Sequence, residues 1–361
     1  MASVHQRGKS WVVRYRTPQD TNAQQTFKAR KDALAFKAEV EVATQRGTLI
    51  DPASRRTTYA DWHAQWMNHR PDLRESTRQR VQGIARVHLL PTFGHLPVQR
   101  ITQPDVQAWV SAQTVAPATV RRNYGEFSAS LEAAVVGGIL TVSPCRGIRL
   151  PKAVRAQMVI LDHDEVESLA ACILPRYRAL VFLLAYGGLR IGEALDLIPS
   201  DIDLDKGTVR VVSTLTLDKG GRKTSGRPKS EAGLRTVPLP SQVKTMLAEH
   251  MDSYPGEYVF TGGRGAQIHV SNFGERTFKQ AVTKWSEQRR EQGLPVLRPR
   301  VHDLRHTAIT QWIRLGADLP RVKTWAGHTS AAFTLNQYAG YFPSDDSKYM
   351  EALNAGMVKR S

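Results

Sequence analysis

The chain has 361 residues, of which 41% are hydrophobic and 23% charged, a composition that predicts a folded protein of two or three domains. Fifty Lys and Arg against thirty-three Asp and Glu give a net charge of +17, and because residues 1–56, 57–156 and 157–361 are each basic, a long DNA duplex fits better than a small acidic ligand. There is no apolar run of membrane-span length and there are only two cysteines, Cys145 and Cys172, so we expect buried thiols, a cytoplasmic location and no membrane partner.

The first predicted module, residues 1–56, is a small sheet followed by a helix. Residues 11–16 alternate between an apolar face (Trp11, Val13, Tyr15) and a mixed, basic face (Val12, Arg14, Arg16). A second strand is predicted near 24–28, and the spacing from 31 to 46 is helical. Such a sheet either lies in the major groove of DNA or is a small module whose basic side chains are solvated. The candidate DNA contacts are Arg14, Arg16 and Lys28.

Residues 57–150 are predicted to be all helical, after a linker that begins near residue 48. The helix that opens at Glu75 is predicted to end before Pro91, and Thr102 is predicted to cap the next helix. An apolar stripe at helical spacing is predicted to be core: Tyr59, Trp62, Trp66 and Met67. The basic residues left for backbone phosphates, which give affinity without sequence readout, are Arg74, Arg78, Arg80, Arg121 and Arg122.

A second linker is predicted at 151–157, which is basic and contains Pro151. The residues after it, 158–361, are predicted to be helices with one strand-rich insert. The strands of this insert, near 207–212 and 234–239, bracket a loop rich in Gly, Lys and Arg at 219–229. The pattern therefore predicts an α+β domain.

Three segments of this last region carry what cleavage of a phosphodiester needs, namely a nucleophile, cations for the non-bridging oxygens and a proton for the leaving group. They are A-Y-G-G-L-R-I-G-E at 185–193, V-H-D-L-R-H at 301–306 and W-A-G-H-T-S-A-A-F-T-L-N-Q-Y at 325–338. His302 and Arg305 are three residues apart and share a helix face, so both can act on one group. By itself, the segment around Arg190, an arginine after a glycine pair, favours a solvated helix cap over a catalytic role. No H-E-x-x-H or Walker A pattern occurs, and we expect no metal and no cofactor.

These segments resemble the motifs of the tyrosine recombinases, a family that includes phage integrases and Xer-type resolvases. The family carries G-L-R-x-x-E, H-x-L-R-H and L-G-H-x-(S/T) boxes followed by a tyrosine. This chain has G-L-R-I-G-E, H-D-L-R-H and A-G-H-T-S in the same order, with Ala326 where Leu is usual, and then Tyr338. P-K-S-E-A-G-L-R-T-V-P-L at 228–239 resembles the hairpin that supplies the family's lysine, which favours Lys229 over Lys219 and Lys223.

The resemblance implies an enzyme that breaks and rejoins DNA without metal or ATP. Its catalytic residues are implied to be Arg190, Lys229, His302, Arg305, His328 and Tyr338, with Glu193 supporting the first arginine. Tyr338 attacks the scissile phosphate and forms a 3′-phosphotyrosine link, Arg190 and Arg305 clamp the non-bridging oxygens, and Lys229 protonates the leaving 5′-oxygen. Of the two histidines, the first assists proton transfer at the tyrosine and the second hydrogen-bonds the phosphate.

The resemblance also implies a multidomain, mainly α-helical architecture with small β-sheets. Residues 1–56 resemble the small three-stranded α+β arm-binding domain of many integrases, and residues 57–150 resemble an all-α core-binding domain. A linker at 151–157 then leads to an α+β catalytic domain at 158–361, which ends in a C-terminal tail. Simple Xer-type enzymes lack the arm-binding module, so its presence favours an integrase of a phage or mobile element.

The implied partner is double-stranded DNA with core-type and arm-type attachment sites, bound by a homotetramer. A host DNA-bending factor and an excisionase are expected accessory proteins of an arm-binding integrase. The tail has four side chains at helical spacing, Tyr349, Met350, Leu353 and Met357, and either docks on a neighbouring subunit or packs on its own domain. The alternatives are an Xer-type resolvase, an enzyme of the type IB topoisomerase kind and a non-enzymatic DNA-binding regulator.

Overall fold

The computed structural model describes residues 2–17, 20–46, 49, 56–154, 157–217, 223–226, 231–342, 350–351 and 354. The chain forms two compact units, residues 1–155 and 156–361. Their boundary lies inside the stretch predicted as a linker, 151–157, while the finer division into three domains stays a prediction. The architecture is mainly helical with small antiparallel sheets, as the sequence predicts.

The first unit begins with a three-stranded antiparallel sheet and a helix. The strands are β1 (Ser3–Arg7), β2 (Ser10–Arg16) and β3 (Asn22–Phe27), in the order β1-β2-β3, and the helix is α1 (Arg30–Gln45). Strand β2 buries Val13 and Tyr15 in a small core with Ala33 and Val40 of α1. Arg14 and Arg16 lie on the opposite, exposed face, which confirms the predicted alternation.

Five helices follow in the first unit. They are α2 (Tyr59–Asn68), α3 (Glu75–Ile84), α4 (Leu90–Phe93), α5 (Gln103–Ala112) and α6 (Pro117–Val136). The prediction that the helix ends before Pro91 is wrong, because a π-helical turn at Ala85–Leu89 joins α3 to α4 and the helical backbone continues to Phe93. Pro91 is tolerated because it lies in the first turn of α4. The N–H groups of a first turn have no hydrogen-bond partner within the helix, so a residue without an N–H costs little there. Thr102 caps α5 reciprocally with Asp105, as predicted.

The core of these helices is aromatic. Phe93 stacks on Phe127 with ring centroids 4.5 Å apart, and Tyr59 meets Phe127 edge to face at 5.1 Å. The Tyr59 hydroxyl pairs with the Ser130 hydroxyl, so its polar end is satisfied inside the core. The predicted core stripe is confirmed for Tyr59 and Met67, which are both buried.

The second unit has nine α-helices and five strands among its described residues. Its helices are α7 (His163–Ala171), α8 (Pro175–Gly187), α9 (Ile191–Ala194), α10 (Ser241–Ser253), α11 (Val270–Asn272), α12 (Lys279–Glu291), α13 (Val301–Arg314), α14 (Leu319–Ala326) and α15 (Ala331–Tyr338). Its strands are β4 (Ile202–Asp203), β5 (Thr208–Val211), β6 (Thr214–Leu217), β7 (Lys223–Gly226) and β8 (Arg235–Pro238). The predicted strand-rich insert is confirmed: the strands form a β4-β5-β8 sheet and a separate β6-β7 pair, both antiparallel.

Helix α8 organises the core of the second unit. It is apolar on all sides from Leu180 to Ala185, and these residues are almost completely buried. Helix α13 packs along it, and the end of α8 lies beside residues 305–312 of α13, since Arg305 Nη1 donates to Gly188 O at 2.6 Å and Trp312 Nε1 donates to Tyr186 O at 3.2 Å. This packing places two of the sequence boxes beside each other.

Two further expectations concern cysteines and membrane spans. Cys145 is buried, as predicted, whereas Cys172 is only half-buried and its thiol donates to Gln288 Oε1. Among the described residues, no helix combines the length and the apolar character needed to cross a bilayer.

Candidate active site

The turn after α8 places the first arginine. Helix α8 ends at Gly187 and is capped by Gly188, whose φ of +61° lies in the left-handed region. A Cβ at Gly188 would come within 2.6 Å of the Trp312 ring. Glycine is therefore required on two grounds, backbone conformation and space. Arg190 follows as the N-cap of α9, and its backbone N–H donates to Glu193 Oε2 at 2.8 Å.

Glu193 is the buried carboxylate of the site and is shared by two arginines. Its Oε1 accepts from Arg190 Nη1 at 2.8 Å and its Oε2 accepts from Arg235 Nη2 at 2.7 Å. Burial raises the pKa of Glu193, but the hydrogen bonds and charge of Arg235, followed by the charge of Arg190, outweigh it and lower the pKa to about 2. The carboxylate is therefore ionised at neutral pH and orients both guanidinium groups.

Three arginines converge on the C-terminal end of helix α14. Arg235 Nε donates to Trp325 O at 2.7 Å, Arg305 Nη2 donates to Ala326 O, and Arg190 Nη2 donates to Gly327 O at 3.2 Å. The last carbonyls of a helix have no partner within it and form the negative end of its dipole, so they favour cations. The end of α14 is thus a common anchor that gathers guanidinium groups from three separate parts of the second unit.

Gly327 permits this convergence. Its φ is +63°, and a Cβ there would lie 2.9 Å from Ala232 O and 3.0 Å from Arg235 Nη1. The G-H pair of the third sequence box is therefore explained by a tight turn against the segment that leads into β8. His328 follows directly and is 5% exposed.

Arg305 is the buried cation at the centre of the site. It is 2% exposed, and its Nη1 donates to Gly188 O at 2.6 Å, which links α13 to the turn after α8. Burial, and then the neighbouring charge of Arg190, lower the pKa of Arg305 to about 9, so it remains charged at neutral pH. With Arg190, Arg235 and Arg305 around the single carboxylate of Glu193, the cluster has an excess of positive charge and favours an anion such as a phosphate.

Tyr338 lies at the end of α15 and is 1% exposed. Its hydroxyl is 2.5 Å from His306 Nδ1, and its ring stacks against His328 with centroids 6.3 Å apart. Burial raises the pKa of Tyr338 more than the charges of Arg305 and Arg190 lower it, so the phenol is neutral at neutral pH. The nucleophile predicted from the sequence is therefore held protonated inside the site.

The two predicted histidines occupy different positions. His328 Nδ1 pairs with Thr334 Oγ1 at 2.8 Å, and burial, followed by the charge of Arg305, lowers the pKa of His328 to about 3. His302 is exposed at the start of α13, and its ring meets the ring of His306 edge to face with centroids 4.6 Å apart. His302 thus contacts His306, which in turn is hydrogen-bonded to the hydroxyl of Tyr338.

The structure brings most of the predicted catalytic residues together. Those gathered near the end of α14 are Arg190, Glu193, His302, Arg305, His328 and Tyr338. Lys229 lies outside the described residues, which resume at 231.

Two residues of the site, Arg235 and His306, were not assigned roles from the sequence. The alternation of a strand could have predicted the burial of Arg235, because its side chain lies on the same buried face of β8 as that of Val237. His306 stands four residues after His302 on the same helix, which is also a detectable signal.

The predicted DNA contacts of the first unit are basic side chains in different settings. Arg14, Lys28, Arg74 and Arg122 are exposed, as is Arg16, which pairs with Asp20. Arg121 is exposed and donates to Pro151 O at 3.3 Å. Arg78 is half-buried, and its guanidinium donates to Met67 O and Arg70 O at the end of α2, which is a structural contact. The exposed members of this set remain candidates, whereas Arg78 is already engaged with the protein.

No group of three or more His, Cys, Asp or Glu side chains within the described part of the chain is placed to hold a metal ion. The positive charge gathered at the end of α14 comes from Arg190, Arg235 and Arg305, and guanidinium groups are suited to bind phosphate oxygens in a bidentate manner. The arrangement can bind a phosphodiester and present a phenol to it.

Comparisons with known proteins agree with these motifs. The model of the phage integrase family matches residues 160–343, and that of the phage integrase N-terminal SAM-like domain matches residues 58–112. The integrase of Mycobacterium phage L5 is 27% identical over 97% of this chain and 95% of its own length. The putative prophage phiRv2 integrase of Mycobacterium tuberculosis H37Rv is 27% identical over 87% of this chain and 84% of its own.

Solved structures show the same fold. The Tn1549 transposon integrase in complex with transposon right-end DNA has a TM-score of 0.67 at 19% identity, covering 84% of this chain and 99% of that one. A lambda integrase dimer bound to a COC′ core site has a TM-score of 0.61 at 16% identity, covering 94% of each chain. A lambda integrase tetramer bound to a Holliday junction has a TM-score of 0.58 at 16% identity, covering 91% of this chain and 96% of that one. At these identities the likeness establishes the fold alone.

Proposed function

The chain belongs to the phage integrase family, enzymes that cleave and rejoin DNA, and from this premise we propose that it integrates or excises a phage or mobile element by site-specific recombination through Tyr338. One observation carries the proposal: Arg190, Arg305 and His328 meet at the C-terminal end of α14. Tyr338, at the end of α15, is buried beside His328. A phenol suits this reaction because an aryl phosphate keeps the energy of the cleaved bond and remains a good leaving group, so DNA can be resealed without ATP.

The proposed roles follow from charge and position. Arg190 and Arg305 bind the non-bridging oxygens of the scissile phosphate, since their guanidinium groups are fixed by Glu193 and by backbone carbonyls before DNA arrives. His328 hydrogen-bonds the phosphate with the ring nitrogen that Thr334 does not engage. His302, at the exposed edge, assists proton transfer.

Lys229 is the proposed acid for the leaving 5′-oxygen. The segment that follows it closely is attached to the site, because Ala232 O lies against Gly327 and Arg235 donates to Gly233 O at 3.1 Å. Consecutive Cα atoms are about 3.8 Å apart, so Lys229 is only a few residues of chain from this anchor. This closeness along the chain supports Lys229 over Lys219 and Lys223, which are further from the anchor in the sequence.

A nicked suicide substrate tests the reaction. We define the junction duplex as DNA from the attachment site of the element that encodes this chain, nicked near the scissile phosphate so that the cut fragment diffuses away. A recombinase forms a covalent adduct at a defined base and exchanges strands between two such sites. A DNA-binding regulator forms no adduct, and an enzyme of the type IB topoisomerase kind forms one without exchanging strands between defined sites.

We further propose that the chain acts as a homotetramer on core-type and arm-type DNA sites, since recombination joins two duplexes with two subunits on each. Residues 1–56 bind arm-type DNA in this proposal, which separates an integrase from a simple Xer-type resolvase. A host DNA-bending factor and an excisionase assist, and the reaction takes place in the cytoplasm of a bacterial host.

Reversing the charge of Arg14 tests the arm-binding proposal. Arg14→Glu changes the exposed face of β2, and we expect arm-site affinity to fall by roughly 10-fold or more, since a lost base or phosphate contact is worth about 1–3 kcal/mol. Lys31→Glu makes the same charge change on α1, which packs on the other face of the sheet, and should leave affinity unchanged.

Removing residues 1–56 should abolish arm binding and spare cleavage of the junction duplex. Loss of that cleavage as well would argue against a separate arm-binding role.

A further inference from the structure

The hydroxyl of Tyr338 has a specific partner that the motif-based assignment does not use. His306 Nδ1 lies 2.5 Å from the hydroxyl oxygen, and the two rings meet with centroids 5.7 Å apart at 54°. Both residues are shielded from solvent, with Tyr338 1% and His306 7% exposed. The contact therefore joins the nucleophilic atom to a titratable group inside the site.

The direction of this hydrogen bond follows from the protonation of both rings. Burial, and then the neighbouring His302, lower the pKa of His306 to about 4, so the imidazole is neutral at neutral pH and one ring nitrogen carries a free lone pair. Burial raises the pKa of Tyr338, so the phenol keeps its proton. The hydroxyl accordingly donates to Nδ1, which assigns the proton of the neutral ring to Nε2.

We propose that His306 is the catalytic base that accepts the proton of Tyr338 during attack on the scissile phosphate, an inference that rests on the proposed recombinase function. In this step the tyrosine O–H bond breaks and its proton moves to His306 Nδ1. The freed oxygen lone pair forms the bond to phosphorus while the bond from phosphorus to the 5′-oxygen breaks, and that oxygen takes a proton from Lys229. In the resealing step the 5′-hydroxyl returns its proton to Lys229 as its oxygen forms the bond to phosphorus. The bond from phosphorus to the tyrosine oxygen breaks, and that oxygen takes the proton back from His306 Nδ1.

Other groups near Tyr338 are less suited to accept this proton. Arg190 and Arg305 are cations without a lone pair to offer. His328 directs Nδ1 at Thr334 and stacks its ring on Tyr338, and His302 contacts the ring of His306. A bound phosphate also favours proton transfer to His306, because its negative charge stabilises the imidazolium that forms beside it.

Two substitutions separate proton acceptance from positioning. His306→Asn retains an oxygen that can accept the tyrosine hydrogen bond but cannot take the proton, whereas His306→Ala removes both. We expect His306→Asn to slow single-turnover adduct formation on the junction duplex by roughly 10²–10⁴-fold with unchanged DNA affinity, since general bases contribute about that much. A rate for His306→Asn close to that of the unchanged chain would show that His306 only positions the tyrosine and would overturn the proposal.

The chain offers a matched control for this substitution. His163 Nδ1 pairs with the Tyr186 hydroxyl on the surface of α7 and α8, the same kind of contact away from the site. His163→Asn should leave adduct formation unchanged. Thermal unfolding and DNA affinity of all variants verify that the fold persists.

A modified substrate distinguishes a base from an acid. Replacing the leaving 5′-oxygen with sulfur removes the need for a proton at the leaving group, because thiols ionise far more readily than alcohols. This substrate should restore cleavage to Lys229→Ala but not to His306→Asn. Restoration of His306→Asn would assign His306 to the leaving group and overturn the proposal.

A measurement on the unchanged chain keeps the proposal testable should the His306 variants fail to fold. On the 5′-sulfur substrate the remaining proton in transit is that of Tyr338, so cleavage should be slower in deuterated water. Equal cleavage rates in ordinary and deuterated water would contradict transfer of the Tyr338 proton to a base and would overturn the proposal. Absence of an adduct from the unchanged chain would instead contradict the recombinase function itself.

Discussion

Replacing Tyr338 with Phe is expected to abolish the covalent protein–DNA adduct while leaving DNA affinity intact. The substitution removes the nucleophilic oxygen and keeps the ring that stacks on His328. The cation cluster that binds the phosphate is unchanged, since none of its hydrogen bonds involves the tyrosine hydroxyl. Labelled junction duplex on a denaturing gel measures the adduct, and a gel shift measures affinity.

Tyr341→Phe is the control for this prediction. Tyr341 lies three residues later in a 3-10 turn, where its ring receives the guanidinium of Arg314. The Tyr341→Phe variant should form the adduct as the unchanged chain does. An adduct from Tyr338→Phe that disappears when Tyr341 is also changed would show that Tyr341 is the nucleophile and that the assignment of Tyr338 is wrong.

The local parts of the fold and the site were within reach of the sequence. The arginine after Gly188 and the histidine after Gly327 follow left-handed turns, and glycine marks such turns directly in the sequence. The alternation in β2 likewise predicts which side chains are exposed, because the period of a strand is a local property.

The parts that escaped prediction depend on tertiary partners. Burial of Arg235 is tolerated only because Glu193, forty-two positions away, supplies a counter-charge. His306 comes to lie beside Tyr338, thirty-two positions away, because α13 and α15 both pack against α14. Pro91 was misjudged because the π-helical turn before it starts a new helical segment. Motif spacing predicts the local sequence boxes more readily than the contacts that form between distant parts of the chain on folding.

Replacing Glu193 with Gln is expected to produce the largest loss of stability among changes at the site. Glu193 and Arg235 form an ion pair at 2.7 Å with side chains 2% and 1% exposed. Removing one partner of a buried pair leaves an uncompensated charge, which typically costs about 3–5 kcal/mol of unfolding free energy. Here Arg190 and Arg305 add to the unbalanced charge. Urea unfolding of the two proteins measures the difference.

A double substitution tests the cause of this loss. Glu193→Gln with Arg235→Met removes both partners of the buried pair, so no unpaired charge remains between them. Replacing both partners by neutral groups of similar size is far less destabilising than removing one. We therefore expect the double variant to be more stable than Glu193→Gln alone. A double variant that is no more stable would mean that packing, and not charge, governs the effect.

The pH dependence of stability provides an independent test of the same pair. The pKa of Glu193 is lowered from 4.5 to about 2, since the arginines outweigh its burial, so the unfolded state binds the proton more readily than the folded state. The stabilisation, on the order of 3 kcal/mol from this shift, is fully present above about pH 4.5 and is lost as the pH falls through about 2. The chain with Glu193→Gln should lack this part of the acid slope while keeping the contributions of other carboxylates. Equal slopes for both proteins between pH 4.5 and 2 would show that the arginine cluster does not hold Glu193 ionised.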